Sequence, residues 1–523
     1  MSERDIAGGA TSAEIIQGQR EYLLPSMLHM YSEPMALVEG KGVRVRDAEG
    51  REYLDLFAGI LTTSVGHCNP RVNEAMTAQM NRLGHVSTLY ATEAHVEAAK
   101  KIAEISPGAL NRTFFSNSGT EAVETALMMA CLATGRSEII GLRVGYHGRS
   151  FMASSVTAHS GWRPLATPVA GIKHAKSPNP YRCPFKQPCD DTCVDRFIDD
   201  LEEVILTTTN GRPAAFIAET IQGVAGYVVP PANYFQKAAE VIRHYGGLLI
   251  IDEVQTGFGR CGTHWFGIDH WGVEPDIMVM AKGIANGAPV GATIATDEIA
   301  HGWKGKTIST FGGTPVSMAA LCATQDELRE HDAPQNAEVR GQQLRAGLEA
   351  IQARHPWIGD VRGMGLMQAM EIVKDPVTKE PDNARTAKFA EATREVGVLI
   401  GLGGLNGTVV RIGPSLLVTE GEITEGLELL GKAADMAGER GQPHGYPTRM
   451  AAAESVRDAL IAGIKPEIVA TRTSIVATAT KVAGSVGSTP KRSAPSSLVP
   501  TTDTIPPIAM PTRVRMRVRP TTC

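Results

Sequence analysis

Little net charge and no long apolar run are the first things to notice in this chain. Its 523 residues carry 51 basic and 56 acidic side chains, a formal charge of −5. That is too small at this size for a general nucleic-acid binder. No uninterrupted apolar stretch is long enough to span a bilayer, so no membrane partner is expected. The opening Met1-Ser2-Glu3-Arg4-Asp5 has no basic flank leading into an apolar segment, so no signal peptide is visible. Cysteine is sparse: eight residues scattered through the length suit a reducing cytoplasm better than a disulfide scaffold. With 43% hydrophobic and 20% charged residues, the chain can bury a large core and build more than one domain.

A metal site is not expected either. Cys183, Cys189 and Cys193 bracket Asp190 and Asp191, but the gaps of six and four residues, with Pro184 and Pro188 between, fit no zinc template. A structural loop is the better reading.

From about Leu54 to Ile308, short apolar runs alternate with amphipathic stretches, which predicts a mostly parallel sheet with crossover helices. Strands are expected at Arg112–Ser116, Glu138–Val144, Ala214–Glu219, Leu248–Asp252, Asp276–Ala281 and Gly291–Thr296, with helices such as Glu121–Thr134 and Asn233–Tyr245. A smaller α+β unit follows. It opens with a helix at Val316–Glu330, passes through Gly363-Met364-Gly365-Leu366-Met367, a helix near Arg385–Glu395 and a strand near Thr408–Ile412, and closes with a helix from about Glu420. The segment around Gly42–Asp55 is expected to complete it. The boundaries follow: 1–60 joins the small domain, 61–314 is the large domain, and 315–440 is the small domain. Residues 441–523 form a low-complexity tail rich in Pro, Ser, Thr and Ala, expected to be disordered. Within that tail Ala451–Ile464 could form one helix. Arg513, Arg515, Arg517 and Arg519 alternate with apolar residues, a strand or a basic patch as alternatives.

The chemistry is concentrated at strand ends. Gly247-Leu248-Leu249-Ile250-Ile251 runs into Asp252, and Met278-Val279-Met280-Ala281 runs into Lys282. A strand ending in a carboxylate, followed by one ending in a lysine, suits an enzyme that holds a pyridine cofactor. The carboxylate would keep a ring nitrogen protonated and the amine would form a Schiff base. The plain alternative is a buried ion pair. Ser116-Asn117-Ser118-Gly119-Thr120-Glu121-Ala122 follows a strand and opens a helix. It supplies free N–H groups, hydroxyls and a helix dipole for a phosphate, or else a capping box of Ser118 and Glu121. Tyr146-His147-Gly148-Arg149 offers an aromatic face and a guanidinium, or an ordinary surface turn.

Five motifs occur in order: Gly119-Thr120, Tyr146-His147-Gly148, Ile251-Asp252-Glu253-Val254-Gln255-Thr256-Gly257-Phe258-Gly259-Arg260, Ala281-Lys282-Gly283 and Phe311-Gly312-Gly313-Thr314-Pro315. Together they resemble a class III pyridoxal-phosphate-dependent aminotransferase of fold type I, over roughly the first four-fifths of the chain. Within that class, Phe57-Ala58-Gly59-Ile60, Ser64-Val65-Gly66-His67-Cys68-Asn69-Pro70 and Arg411-Ile412-Gly413-Pro414-Ser415 are similar to the alanine–glyoxylate aminotransferase 2 branch. The ω-amino acid–pyruvate and 4-aminobutyrate transaminases stand close by. The resemblance implies an α/β fold, a large domain on a mostly parallel seven-stranded sheet with a smaller α+β domain, and pyridoxal 5'-phosphate as cofactor. It also implies a homodimer, or a dimer of dimers, with shared active sites.

The roles it implies are specific. Lys282 would be the Schiff-base lysine and then the base that moves a proton, and Asp252 would hold the pyridinium proton. Gln255 would approach the ring's phenolic oxygen, with Val254 beside it in the cofactor-binding set. Ser118, Gly119 and Thr120 would bind the phosphate, joined by Thr314 from the second subunit. Tyr146 would stack on the ring and Glu219 would support the site from behind; Thr220 stands where the family usually has proline. Arg411 would take the α-carboxylate of an amino acid or 2-oxo acid. Where ornithine and 4-aminobutyrate transaminases place a glutamate that masks this arginine, directly after the glycine matched by Gly223, the chain has Val224. The expected reaction therefore moves an amino group from a donor such as alanine to glyoxylate or pyruvate by a ping-pong cycle. Arg149 points the other way, since its position matches an arginine that binds substrate carboxylates in the 4-aminobutyrate and acetylornithine enzymes. A 4-aminobutyrate or ω-amino acid transaminase is the alternative, and a class III racemase or aminomutase stands further off.

Overall fold

The computed structural model describes residues 9–165, 169–185 and 191–438. Cys189, the tail from 441 with the possible helix at Ala451–Ile464, and the Arg513–Arg519 alternation lie outside the described residues.

The chain first makes a small antiparallel meander, β1 (Leu37–Lys41), β2 (Arg44–Asp47) and β3 (Glu52–Asp55). Seven strands follow: β4 (Leu110–Ser116), β5 (Ile139–Leu142), β6 (Ile172–Ala175), β7 (Ala215–Glu219), β8 (Leu248–Asp252), β9 (Ile277–Met280) and β10 (Gly291–Thr296). They form one sheet in the order β4-β10-β9-β8-β7-β5-β6. The five strands from β9 to β6 are mutually parallel, and only β10 runs against its neighbours β4 and β9. The mostly parallel seven-stranded sheet expected from the sequence is thus present. β5, β7 and β9 are buried at every residue, which is why they read as continuous apolar runs rather than alternating ones.

The sequence reading found six of these strands and overran three, two of them by no more than a residue at an end. Glu138–Val144 shrinks to Ile139–Leu142, and Val144 leaves the strand with φ 62°. The seventh, β6, is a short edge strand whose first three residues are only half-buried, so it carries little hydrophobic pattern.

A second group of strands comprises β11 (Ile358–Met364), β12 (Met367–Asp375), β13 (Glu380–Pro381), β14 (Val398–Leu399), β15 (Gly401–Gly403) and β16 (Val409–Ile412). β11, β12, β16 and β15 form one antiparallel sheet in that order, with β13 added to β12. Gly363-Met364-Gly365 makes the hairpin between β11 and β12, with Gly365 at φ 49°. β14 instead pairs in parallel with β3, tying the N-terminal meander to the late part of the chain. The helix Ala333–Arg354, absent from the sequence reading, packs on β11 and β12. The domain boundaries placed at 60 and 314 fall inside one compact unit, Met1–Gly441.

Candidate active site

The site sits where a parallel sheet offers it, at the carboxyl ends of the strands. β8 ends in Asp252 and its neighbour β7 ends in Glu219; the two are register partners. Lys282 stands two residues beyond β9, in the left-handed region at φ 48°, an uncommon conformation for a side-chain-bearing residue. The loop after β5 delivers Tyr146 and His147, and β4 leads into the helix Gly119–Thr134. Together these line a cavity of about 330 Å³ that includes Ser118, Gly119, Thr120, Tyr146, His147, Glu219, Asp252, Val254, Gln255 and Lys282.

Asp252 is clamped on both oxygens. Oδ2 faces His147 Nδ1 at 2.8 Å and Oδ1 accepts from the Val254 N–H at 3.1 Å. Since a carboxylate only accepts, His147 carries its proton on Nδ1. Burial acts to depress this imidazole, but the bond to Asp252 and the charges of Asp252 and Glu219 outweigh it and raise the pKa above the ordinary value. Glu219 accepts from the Tyr146 and Gly223 N–H groups at 2.9 and 2.8 Å. Burial, reinforced by the neighbouring Asp252 charge, pushes its carboxyl up to about 7.

Lys282 is half-buried by area because it lines the cavity. Its amine makes no hydrogen bond or ion pair among the described residues. Loss of hydration lowers its pKa below that of an ordinary lysine; the Asp252 and Glu219 charges oppose the shift and Arg411 adds to it. A lysine held this way presents a more nucleophilic amine.

The helix start combines both sequence readings. Ser118 is the N-cap, its Oγ accepting from Glu121 N at 3.3 Å, while the Glu121 carboxylate accepts from Asn117 N at 2.6 Å. The first-turn N–H groups of Gly119 and Thr120 have no carbonyl one turn back and open on the cavity. Gly148 closes this corner at φ 130°; a Cβ there would meet Thr120 Oγ1 at 2.6 Å. Gly223 leaves room for the Gln255 amide, whose Oε1 is buried without a partner.

Arg411, on β16, lies outside the cavity lining and is buried, 5% exposed. Its Nε and Nη2 donate to Leu402 O at 3.1 and 2.7 Å, and Nη1 donates to Gly223 O at 3.4 Å. The Phe57 and Tyr227 rings lie 5.0 and 5.8 Å from its Cζ. It has no carboxylate partner among the described residues, and burial lowers its pKa. Arg149 is exposed, with no ion pair among the described residues. Thr314 is also away from the cavity; its hydroxyl contacts His85 Nδ1 at 2.9 Å.

Three neighbours had escaped the sequence reading as site residues. His147 stood inside the Tyr146-His147-Gly148 motif and Phe57 inside Phe57-Ala58-Gly59-Ile60, so both were in view without a role. Tyr227 had no sequence signal. Thr220, the departure from the usual proline, donates to the buried Glu253 at 2.7 Å and so anchors the turn after β7.

The donor set fits a phosphorylated pyridine: unpaired N–H groups at a helix start, a clamped carboxylate, an unpartnered amide and an amine of lowered pKa. Residues 28–434 match the family model for class-III aminotransferases. The chain is a class III aminotransferase. It is 40% identical over 413 residues to alanine–glyoxylate aminotransferase 2 homolog 2, mitochondrial, of Arabidopsis thaliana, covering 79% of this chain and 85% of the relative. It is 37% identical over 422 residues to the acetylornithine aminotransferase of Methanopyrus kandleri, covering 80% and 99%. Among solved structures it resembles an amine transaminase from an uncultivated Pseudomonas species in its PLP-bound form, with TM-score 0.73, 32% identity, and 77% and 94% covered. Class III aminotransferases use pyridoxal phosphate, and the fold is that of a fold type I transaminase. No described helix of this aminotransferase is long and apolar enough to cross a membrane.

Proposed function

We propose that this aminotransferase moves the amino group of a small α-amino acid such as alanine to a small 2-oxo acid, glyoxylate or pyruvate, in a ping-pong cycle. The observation that carries this reading is Arg411, a buried guanidinium with no carboxylate partner among the described residues. Beside it stands Val224 rather than an acidic residue. A buried planar fork of this kind is matched to a carboxylate.

Bound pyridoxal phosphate supplies a reactive carbonyl carbon and an electron-withdrawing ring. Ser118, Gly119 and Thr120 would hold its phosphate through helix-start N–H groups and hydroxyls, and Thr314 of a second subunit would complete the cup in a homodimer. Tyr146, Val254 and Gln255 line the same cavity; Tyr146 and Val254 would receive the ring, and Gln255 would supply an amide to its phenolic oxygen. Asp252, oriented by His147, would hold the proton at the ring nitrogen. Lys282 would be the covalent anchor for the cofactor, and its amine would serve as the base that moves a proton at the substrate α-carbon. Glu219 fixes the Tyr146 backbone and so positions the aromatic ring. A cytoplasmic location belongs to the same reading.

The second reading, an ω-amino acid or 4-aminobutyrate transaminase, is favoured by Arg149, whose exposed guanidinium is free to meet a distal carboxylate. The two are separated by following the visible absorbance of the cofactor-loaded enzyme during separate titrations with L-alanine, β-alanine and 4-aminobutyrate. Loss of the band with alanine, and its return on adding glyoxylate or pyruvate, is expected. A response to the ω-amino acids alone would transfer the assignment to Arg149.

A further inference from the structure

A second cavity, of about 190 Å³, shares no lining residue with the one at Lys282. It is bounded by the loops that follow β5 and β6, by β12, and by the turn between β15 and β16. Three cations contribute to it: Arg143, Lys176 and Arg182. Two are committed elsewhere. Lys176 pairs with Asp200, and Arg182 Nε pairs with Glu371, whose other oxygen takes Arg362 Nη1 at 2.7 Å. Arg143 is exposed, and its guanidinium has no hydrogen bond or ion pair among the described residues.

Two buried donors in the same wall are also unpartnered: the hydroxyl of Thr408, a residue 1% exposed, and Nη2 of Arg182. Burying a polar group without a partner is costly, and here two such groups belong to the lining of one cavity. An uncommitted guanidinium beside two orphaned donors lacks one thing, an acceptor carrying negative charge. We propose that this cavity is a second binding site, taking the oxyanion group of a small ligand, a carboxylate or a phosphate, on Arg143, Arg182 Nη2 and the Thr408 hydroxyl.

The site is mechanically joined to Arg411. Gly404, Leu405, Asn406 and Thr408 line the cavity, and they form the turn of the hairpin whose β15 carbonyl, Leu402 O, holds the Arg411 guanidinium. Gly404 N also donates to Val224 O at 2.8 Å, which fixes the strip beside Arg411. An anion that orders this turn steadies the cage around Arg411, so its effect falls on KM for carboxylate substrates and not on cofactor retention. That effect rests on Arg411 being the carboxylate anchor; the binding site itself does not.

The test is isothermal titration of cofactor-loaded enzyme with inorganic phosphate and, separately, malonate. Wild type is compared with Arg143→Gln, Thr408→Val and Arg411→Gln. One anion per subunit is expected, weakened roughly tenfold or more by Arg143→Gln and by Thr408→Val, as for the loss of a charge-assisted hydrogen bond, and unchanged by Arg411→Gln. The tighter of the two probes identifies the group. Arg143 is on the surface, so its variant reports even if Thr408→Val fails to fold, and it should keep wild-type kcat without added anion. Absence of binding to the wild type overturns the proposal. So does an isotherm lost in Arg411→Gln and intact in Arg143→Gln, which would place the anion at the substrate site. With binding established, an anion that lowers KM for alanine in wild type and not in Arg143→Gln supports the link to Arg411; an unchanged KM refutes that link and leaves the site standing.

Discussion

Replacing Arg411 with alanine is the sharpest test of how this enzyme holds its substrate. A guanidinium has five N–H donors. Nε and one hydrogen of Nη2 are spent on Leu402 O, and one hydrogen of Nη1 on Gly223 O. That leaves one N–H on each terminal nitrogen, the pair that meets a carboxylate bidentately. The group is buried, with the Phe57 and Tyr227 rings 5.0 and 5.8 Å from its Cζ, so a pair formed there would be shielded from water. Removing one side of such a charge pair costs about 2–5 kcal/mol, or roughly 30- to 5,000-fold in kcat/KM. The assay is the half-reaction of the cofactor-loaded enzyme with L-alanine and with 2-aminobutane, which has no carboxylate. Arg411→Ala should suppress the alanine reaction by that factor and leave the slow 2-aminobutane reaction nearly untouched. Arg411→Lys keeps the charge but not the fork, and should recover only part of the loss. Equal damage to both amines would show that Arg411 holds the site together rather than the substrate.

Lys282→Ala should still take up the cofactor without a covalent link and lose turnover almost completely; residual rates near wild type would remove Lys282 from its role. Val224→Glu places a carboxylate beside Arg411 and should raise KM for alanine by tenfold or more, an expectation tested by comparing kcat/KM for alanine and 4-aminobutyrate. If alanine is unaffected while the variant folds, Val224 does not adjoin the carboxylate site. Glu219 gives the pH dependence. Its carboxyl is raised from 4.5 to about 7, so the native state binds this proton more tightly than the unfolded chain does. Its contribution to stability is complete below pH 4.5 and is lost as pH rises through 7, by up to about 3 kcal/mol. In cofactor-free protein, Glu219→Gln should flatten the fall in Tm between pH 4.5 and 7, and an unchanged slope would count against the raised value.

What could be read from the sequence was whatever burial had written into consecutive residues. Asp252 and Lys282 stood out because strands buried along all or nearly all of their length lead to both, and a charge directly after an apolar run is conspicuous. The helix Ala333–Arg354 was missed for the opposite reason. Its buried stripe is Ala333, Ala337, Gly341, Leu344, Leu348 and Ile351, half of it residues too small to register as hydrophobic. Gly341 is small because the hairpin crowds it: a Cβ there would collide with Gly365 O. β6 was missed because an edge strand with half-buried residues has no alternation to read.

The partners of the site residues were harder to see than the residues themselves, since partnership depends on distance between segments far apart in sequence. His147 lies 105 residues from Asp252, and their contact at 2.8 Å exists only because β5 and β8 end at the same edge of the sheet. Arg411 shows the consequence for function. A guanidinium in a sequence motif implies only a capacity to bind something anionic; which anion follows from its surroundings. Here those surroundings are two carbonyls, two aromatic rings and the strip through Val224. The Glu219 charge reaches Arg411 and opposes the lowering of its pKa by burial, but no carboxylate is bonded to the guanidinium among the described residues, so a substrate carboxylate would be its direct counter-charge. On the proposed reading, substrate choice would be set less by the parallel sheet that carries Asp252 and Lys282 than by the hairpin of β15 and β16 that carries Arg411.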